Sequence, residues 1–568
     1  MLKKGARALR LSKARLGDRF MMSSPRSLAG LVLGVWVVWT AASAAPLAAA
    51  PNFVANEGQR TALQRLLDNP APIIAGQSID TAALRRLYQA HGYDLLWANR
   101  DDRIATLGSA FDNAADDGLD YPAPLPDPRK AKLADPVERD VLLSTSALRL
   151  ATALAVGRAR PEQWEEDWAI AAPNFDAVGG LDKALGDNRL GPWLASLAPS
   201  DLRYVRLKSA LAFYRDLARH GNWPQVPNGP TIKPGTSDER VGILRKRLIA
   251  EGYLPSEMAP RLLELPADIA DDSAGAAVIS SAEVYDATIE QGVRAFQRRH
   301  GIVEDGAVGA RTLAALNVSV RARVEQIALT LERWRSLPRD FGKNYVFVNV
   351  PGESLEVFED GRPVMSMNVV VGDAGHPTPV VQSHIAAVTF NPTWRVPLSI
   401  GKAEIAGKVK ADPHYLEKNQ MVQKGTYYFE QLPGPKNPLG QVKFETPNKF
   451  DVYLHDTSSP TAFARAARAL SHGCVRVQDA RGLAAYILTG PKWSGDEIAN
   501  AISLGETQRA DVVRKLRVSI LYFTSFVDAD GTIEFRDDIY GRDKRLRAAL
   551  DGSAPVNTAN SKIKTGVI

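Results

Sequence analysis

Apolar residues recur at helical spacing from about residue 58 to 225, most densely across Val141–Leu154, and predict a mainly α region. The Pro/Gly-rich stretch Trp223–Gly235 closes it, with 226–237 read as a linker. From about 238 to 320, Arg240–Leu248 runs into Gly252-Tyr253-Leu254, Gly292–Ile302 runs into Asp305–Gly309, and Thr312–Asn317 follows. This is the pattern of short amphipathic helices joined by glycine turns, with Phe296 and Leu313 in their core. Residues 256–283, rich in Ala, Asp and Ser, interrupt the module as an inserted loop.

Beyond about 344 the period shortens. Asn344–Val350, Ser354–Glu359 and Met365–Val371 are β-branched or aromatic runs broken by Pro351-Gly352 and Asp360-Gly361, and predict a β-meander. Val518–Val527 and Thr532–Phe535 flank an Asp530-Gly531 turn and predict a hairpin added to the same domain, which then spans 344–545. Between these, residues 400–446 carry Lys402, Lys408, Lys410, His414, Lys418 and Lys424 and form a long lid-like connection, or equally a solvated surface excursion. Residues 552–568, rich in Ser, Asn, Thr and Lys, predict a disordered tail. The expected fold is thus multidomain α+β: a helical scaffold, a small helical module and a largely β domain.

A chain of 568 residues with 45% hydrophobic and 24% charged residues is globular and long enough for three or four domains. Its net charge of +6 is small for this length and forms no dense basic block, which argues against nucleic-acid binding. Within residues 1–50, Lys3, Lys4, Arg7, Arg10, Lys13, Arg15, Arg19 and Arg26 precede an uncharged stretch, Leu28–Ala50. That is an export signal; Ala42-Ser43-Ala44 suits cleavage, while the uncharged length also suits an uncleaved membrane anchor. Both readings place the bulk of the chain outside the cytoplasm.

Cys474 is the only cysteine, and a lone cysteine is most often a small buried hydrophobe. Its setting argues for chemistry instead. Ser471-His472-Gly473-Cys474-Val475-Arg476 is polar and contains glycine, which suits an exposed turn offering backbone N–H groups to a developing oxyanion. His472 and Arg476 add positive potential that favours a thiolate. In Phe450–His455, apolar Phe450, Val452 and Leu454 alternate with Asp451, Tyr453 and His455, so a strand sets Tyr453 and His455 on one face. Pro460–Leu470 is Ala/Arg-rich and begins with proline, predicting about three helical turns. A strand, a returning helix and a tight turn can bring His455 to Cys474 as base to nucleophile. No HExxH or paired-cysteine spacing points to zinc, and no metal or organic cofactor is expected.

His455-Asp456, fourteen residues, then Ser471-His472-Gly473-Cys474 resembles the signature of the L,D-transpeptidases of bacterial cell-wall synthesis. The resemblance implies Cys474 as nucleophile, His455 as general base, and amides near Gly473 and Cys474 as oxyanion donors. Tyr453 would face the oxyanion, and His472 and Arg476 would shape the site. Asp456 stands where several members carry Ser or Gly; an orienting contact to the base through the backbone carbonyl would survive that change, whereas a side-chain contact would not. Gly372–Pro379 and Asn391–Pro397 resemble the family's cleft-lining stretches, which makes Asn391 and Trp394 substrate-cleft candidates, and the lid resembles the capping insertion of larger members. Leu87–Trp97 resembles the scaffold domain of those members, with His91 structural. Phe296-Gln297-x-x-His300-Gly301 followed by Asp305-Gly306-x-x-Gly309 resembles a three-helix peptidoglycan-binding module.

The implied activity is a periplasmic, cofactor-free peptidoglycan L,D-transpeptidase that forms 3,3 crosslinks between stem peptides through a cysteine thioester. Its partners would be stem peptides and other cell-wall synthesis proteins, and carbapenem-type β-lactams would inhibit it; the mild basic excess suits an anionic wall polymer. An L,D-carboxypeptidase or exchange enzyme would use the same residues. A non-catalytic peptidoglycan-binding scaffold protein is a further alternative, opposed by the intact His455 and Cys474.

Overall fold

The computed structural model describes residues 54–255, 283–488, 490, 492–528 and 530–553. The chain divides between Pro51 and Asn52, and every described residue lies in the second unit. The N-terminal signal or anchor, the 256–282 part of the inserted loop and the tail beyond 553 lie outside the described residues. Among the described residues, no helix is long and apolar enough to cross a membrane. The architecture is multidomain α+β.

The helical region is built around α1 (Pro136–Val156), whose apolar residues run all round the helix and are buried on nearly every side. Asp135 caps it, accepting the Val137 N–H at 2.7 Å, and Pro136 occupies the first helical position, where no N–H is missed. Inside this helix the buried Asp140 accepts from Tyr88 Oη at 2.7 Å and from the Leu96 and Trp97 N–H groups at 3.0 and 2.8 Å. Burial holds its carboxyl up to about 6. His91 bonds to Asp182 at 2.7 Å, a structural use. Asp140→Ala leaves three buried donors without their acceptor, an expected cost of about 3 kcal/mol. Urea unfolding followed by tryptophan fluorescence should show the scaffold transition at lower urea for Asp140→Ala, with a smaller shift for Asp140→Asn, which keeps an acceptor oxygen.

Helix α2 (Leu202–Arg219) leads to a three-helix module, α3 (Val241–Ala250), α4 (Ala287–Arg299) and α5 (Ala310–Leu316), whose common core includes Phe296 and Leu313. Helix α6 (Val320–Arg335) then packs along α2 and enters the β domain.

That domain is a ring of strands. The meander β1 (Asn344–Asn349), β2 (Ser354–Glu359) and β3 (Arg362–Gly372) is followed by β4 (Val380–Phe390), β5 (Val442–Glu445), β6 (Leu454–His455), β7 (Ala469–Ser471), β8 (Val475–Val477) and β9 (Gln508–Leu521). The path runs β5-β6-β8-β3-β2-β1-β9-β4 and ends on Trp168–Ala169, which pairs with the start of β4; β5 pairs with the end of β4, so the eight strands close into a ring. β6 and β8 are parallel, which obliges the chain between them to cross over.

Three expectations are corrected here. Pro460–Leu470 is not a three-turn helix: only Pro460–Ala464 is helical, as a 3₁₀ turn, and β7 pairs with β3. Distant partners override the local propensity, because the Arg468 carbonyl accepts the Val371 N–H at 3.0 Å and its guanidinium donates to Val369 O and Glu353 O. The lid ends before 446. Val442–Glu445 belongs to the ring, while Trp394–Arg395, Met421–Gln423 and Phe429–Gln431 form a separate small sheet over a core of Val396, Ile405, Met421 and Phe429. The run Val518–Val527 is two strands: Asn349 Oδ1 accepts the Phe523 N–H at 3.0 Å and Asn349 Nδ2 donates to Phe523 O at 3.1 Å, which ends β9. The hairpin is therefore Ser525–Val527 with Ile533–Phe535, and it packs on α2 and α6.

Candidate active site

The parallel register of β6 and β8 builds the site. Leu454 lies opposite Val475 and His455 opposite Arg476, so Cys474, one residue before β8, falls beside Tyr453, one residue before β6. The Val475 N–H donates to Tyr453 O at 3.1 Å, the Cys474 thiol donates to Asp451 O at 3.9 Å, and Tyr453 lies close enough to the sulfur to lower the thiol's pKa. Regular strand geometry is confined to Leu454–His455, because Asp451 turns the chain with φ +52°; Tyr453 and His455 nonetheless share a face, with ring centroids 5.7 Å apart.

His455 is 4% exposed, and its Nδ1 donates to the Asp456 carbonyl at 2.6 Å. That bond fixes the tautomer and leaves Nε2 as the basic nitrogen. The Asp456 side chain is used elsewhere, accepting the Gln441 N–H at 2.8 Å. Burial, with Arg476 and Lys443 adding positive charge, pushes the imidazole down to about 3. The half-buried Cys474 thiol moves the other way, up from the ordinary thiol range, because burial outweighs the effect of Tyr453 and the charge of Lys443. The resting pair is therefore a neutral thiol and a neutral imidazole.

The positive potential expected from Arg476 does reach the sulfur, but burial outweighs it and the thiol stays protonated. Arg476 is half-buried, and its charge bears on both Cys474 and His455. His472 points to the lid, where its Nε2 lies 2.9 Å from Glu404 Oε1, and its ring lies 4.4 Å from that of His376.

The turn before the sulfur is tightly held. Gly473 has φ +108°, open to glycine and strained for other residues. Its N–H donates to Ser471 Oγ at 3.1 Å, and Ser471 Oγ in turn donates to Cys474 O at 2.6 Å. Thr378 Oγ1 donates to Gly473 O and accepts the Gly372 N–H, each at 2.8 Å. The Gly473 amide is thus committed within the turn, contrary to an oxyanion role. The Cys474 amide donates to no protein acceptor among the described residues.

Asn391 is not a cleft residue. It is buried with φ +46°, and its Nδ2 donates to Ala501 O and Ile502 O at 3.0 and 3.1 Å, tying the end of β4 to a distant helix. Trp394 is half-buried and packs on the lid core. Three residues of the site escaped the sequence reading. Thr378 had no signal beyond its Pro-rich loop. Lys443 had one, the Val442/Phe444 alternation that puts it on the polar face of β5, opposite His455; its Nζ sits 4.1 Å from the Tyr453 ring centre. Glu404 could not be matched to His472 without the lid's fold.

No group of three or more His, Cys, Asp or Glu side chains suited to a metal ion occurs among the described residues. What the arrangement can do is nucleophilic acyl transfer: a thiol, an imidazole held in one tautomer, and an unpaired amide with a tyrosine hydroxyl beside the sulfur.

Comparison with known proteins points the same way. Residues 343–494 match the family of the L,D-transpeptidase catalytic domain, 82–211 match a scaffold domain, and 237–316 match a "Putative peptidoglycan binding domain". A Haemophilus influenzae protein named "Putative L,D-transpeptidase" is 31% identical over 245 residues, 40% of this chain and 49% of that protein. The chain thus spans about half the length of this curated relative. Among solved structures, an L,D-transpeptidase from Xylanimonas cellulosilytica is 17% identical and covers 52% of this chain and 99% of its own, with a TM-score of 0.18. One from Stackebrandtia nassauensis is 16% identical and covers 52% and 96%, at 0.20. L,D-transpeptidase 3 from Mycobacterium tuberculosis, in complex with a faropenem-derived adduct, is 12% identical and covers 31% and 60%, at 0.18. At these TM-scores the structural likenesses support no residue correspondence.

Proposed function

We propose that residues 343–494, which match the L,D-transpeptidase catalytic domain, form 3,3 crosslinks between peptidoglycan stem peptides through a thioester on Cys474. The observation that carries the reading is the β6/β8 register, which sets Cys474 beside Tyr453 and two positions along the ladder from a tautomer-locked His455.

The reaction follows from these groups. His455 Nε2 takes the Cys474 proton as sulfur attacks the carbonyl of the L-to-D peptide bond of a tetrapeptide stem. Because both groups are neutral at rest, proton transfer accompanies attack and a standing thiolate is not needed. Negative charge on the tetrahedral oxygen is met by the Cys474 amide and the Tyr453 hydroxyl. Collapse breaks the C–N bond, and the imidazolium returns its proton to the departing D-Ala amine, leaving the thioester. An acceptor amine, such as the side-chain amine of a neighbouring stem, attacks the thioester while His455 takes its proton and then protonates the leaving sulfur. No redox step occurs, so no oxidant or reductant is called for.

The peptidoglycan-binding and scaffold matches support a wall polymer as substrate, and the N-terminal sequence supports a periplasmic location, soluble or anchored. The resemblance to the L,D-transpeptidase catalytic domain makes carbapenem-type β-lactams the chosen probes of Cys474. Incubation with wall tetrapeptides followed by mass spectrometry should yield 3,3-linked dimers and free D-Ala, both lost with Cys474→Ala. Tripeptide without dimer would assign the site to an L,D-carboxypeptidase, and no turnover by either protein would leave only a wall-binding scaffold.

A further inference from the structure

The loop that leads to the nucleophile also walls a cavity of about 780 Å³ that the reaction above does not use. The peptidoglycan-binding module supplies one side through the Arg298–Glu304 segment and Arg311. The ring contributes Pro351–Glu353, the crossover loop contributes Phe463–Ala469, and Arg536–Asp537 completes the wall. These segments are bonded together: Arg536 donates to Arg299 O at 2.9 Å, and Arg311 reaches Asp537 at 3.2 Å.

Five arginines line the cavity against three carboxylates, so it favours an anion. Their commitments differ. Arg298 is paired with Glu304, Arg468 is used by Glu353 O and Val369 O, and Arg536 is paired with Glu534. Arg311 holds only an exposed partner, and the exposed Arg465 guanidinium has no hydrogen bond or ion pair among the described residues. Next to Arg465, Ala466 and Ala467 present small side chains, and their amides donate to no protein acceptor among the described residues. One free guanidinium and a second held only by an exposed carboxylate, beside unpaired backbone in a space far larger than a single small anion, match an extended peptide bearing carboxylates.

We propose that this cavity is a second, non-catalytic site for an anionic wall peptide, bound through its carboxylates by Arg465 and Arg311 and through its backbone at Ala466-Ala467. The identity of the peptide rests on the transpeptidase reading; the cavity and its charge do not. A peptide seated there touches the binding module and the loop leading to Cys474 at once.

The test titrates the full chain carrying Cys474→Ala with a fluorescent wall tetrapeptide. In this background Arg465→Glu should weaken binding by about ten-fold or more, Arg311→Glu should act in the same direction, and Arg465→Lys, which keeps the charge but loses the fork, should weaken it less than Arg465→Glu. The same peptide with its carboxylates amidated should bind the parent about ten-fold more weakly. Smaller losses than these in both Glu variants, undiminished binding of the amidated peptide, or displacement by an equal concentration of inorganic phosphate would each overturn the proposal. Carbapenem acylation of the wild-type chain, read in parallel by intact mass, bears on Cys474 alone, so failure of the catalytic reading is seen separately from failure of this one.

Discussion

Cys474→Ala should lose acylation entirely, with a rate at least about 1,000-fold below wild type, because the only thiol in the chain is the only group the site offers as a nucleophile. The protein should stay folded. Cys474 is half-buried in a turn held by Ser471, Thr378 and the Tyr453 carbonyl, none of which needs the sulfur, so the stability cost should be within about 1 kcal/mol. Intact-mass spectrometry after mixing with a carbapenem reads the result directly: one adduct on wild type, none on Cys474→Ala. An adduct that persists on the variant removes Cys474 from its role.

His455→Ala should slow acylation by about 100-fold or more near neutral pH, the usual size of general-base help. The pH profile carries the sharper expectation. In wild type the imidazole protonates only near 3 and the thiol ionises above the ordinary range, so the neutral pair persists between, and the acylation rate should be level from about pH 5 to about pH 8. Without the base, only the thiolate reacts, and the variant's rate should rise about ten-fold per pH unit over the same window. His472→Ala should lose less than about ten-fold, because His472 contacts Glu404 of the lid. The same low value has a stability sign: His455 is held neutral in the fold but protonates near 6.5 when unfolded, so its contribution is present above 6.5 and is lost as pH falls toward 3. A wild-type profile with an acid limb at 6.5, or a His472→Ala variant slower than His455→Ala, would contradict the assignment.

What the sequence made legible was local. The meander could be read from Asn344 to Val371 because each turn carries its own glycine and each strand its own alternation. Tyr453 and His455 could be placed on one face because a period of two survives even where regular strand lasts two residues. Features set by remote partners were not legible. Arg468 looks like part of a helix until Val369 and Glu353, about a hundred residues earlier, capture its guanidinium and backbone. Asn391 looks like a cleft residue among prolines, yet its amide serves carbonyls at 501 and 502. Neighbours in sequence suggested a thiolate, whereas the depth of the turn decides the balance the other way. The lysine-rich stretch from 400 onward hid the alternation of Val442–Glu445, and with it Lys443.

The most direct test of the central claim is to mix wild-type protein with a wall tetrapeptide, quench in acid and map the adduct by tandem mass spectrometry. The account predicts a thioester on the peptide containing Cys474, with the mass of the stem less its terminal D-Ala, absent from Cys474→Ala and discharged by an added acceptor amine. Release of D-Ala at the wild-type rate by Cys474→Ala, or an acyl group mapped to any other residue, would contradict it.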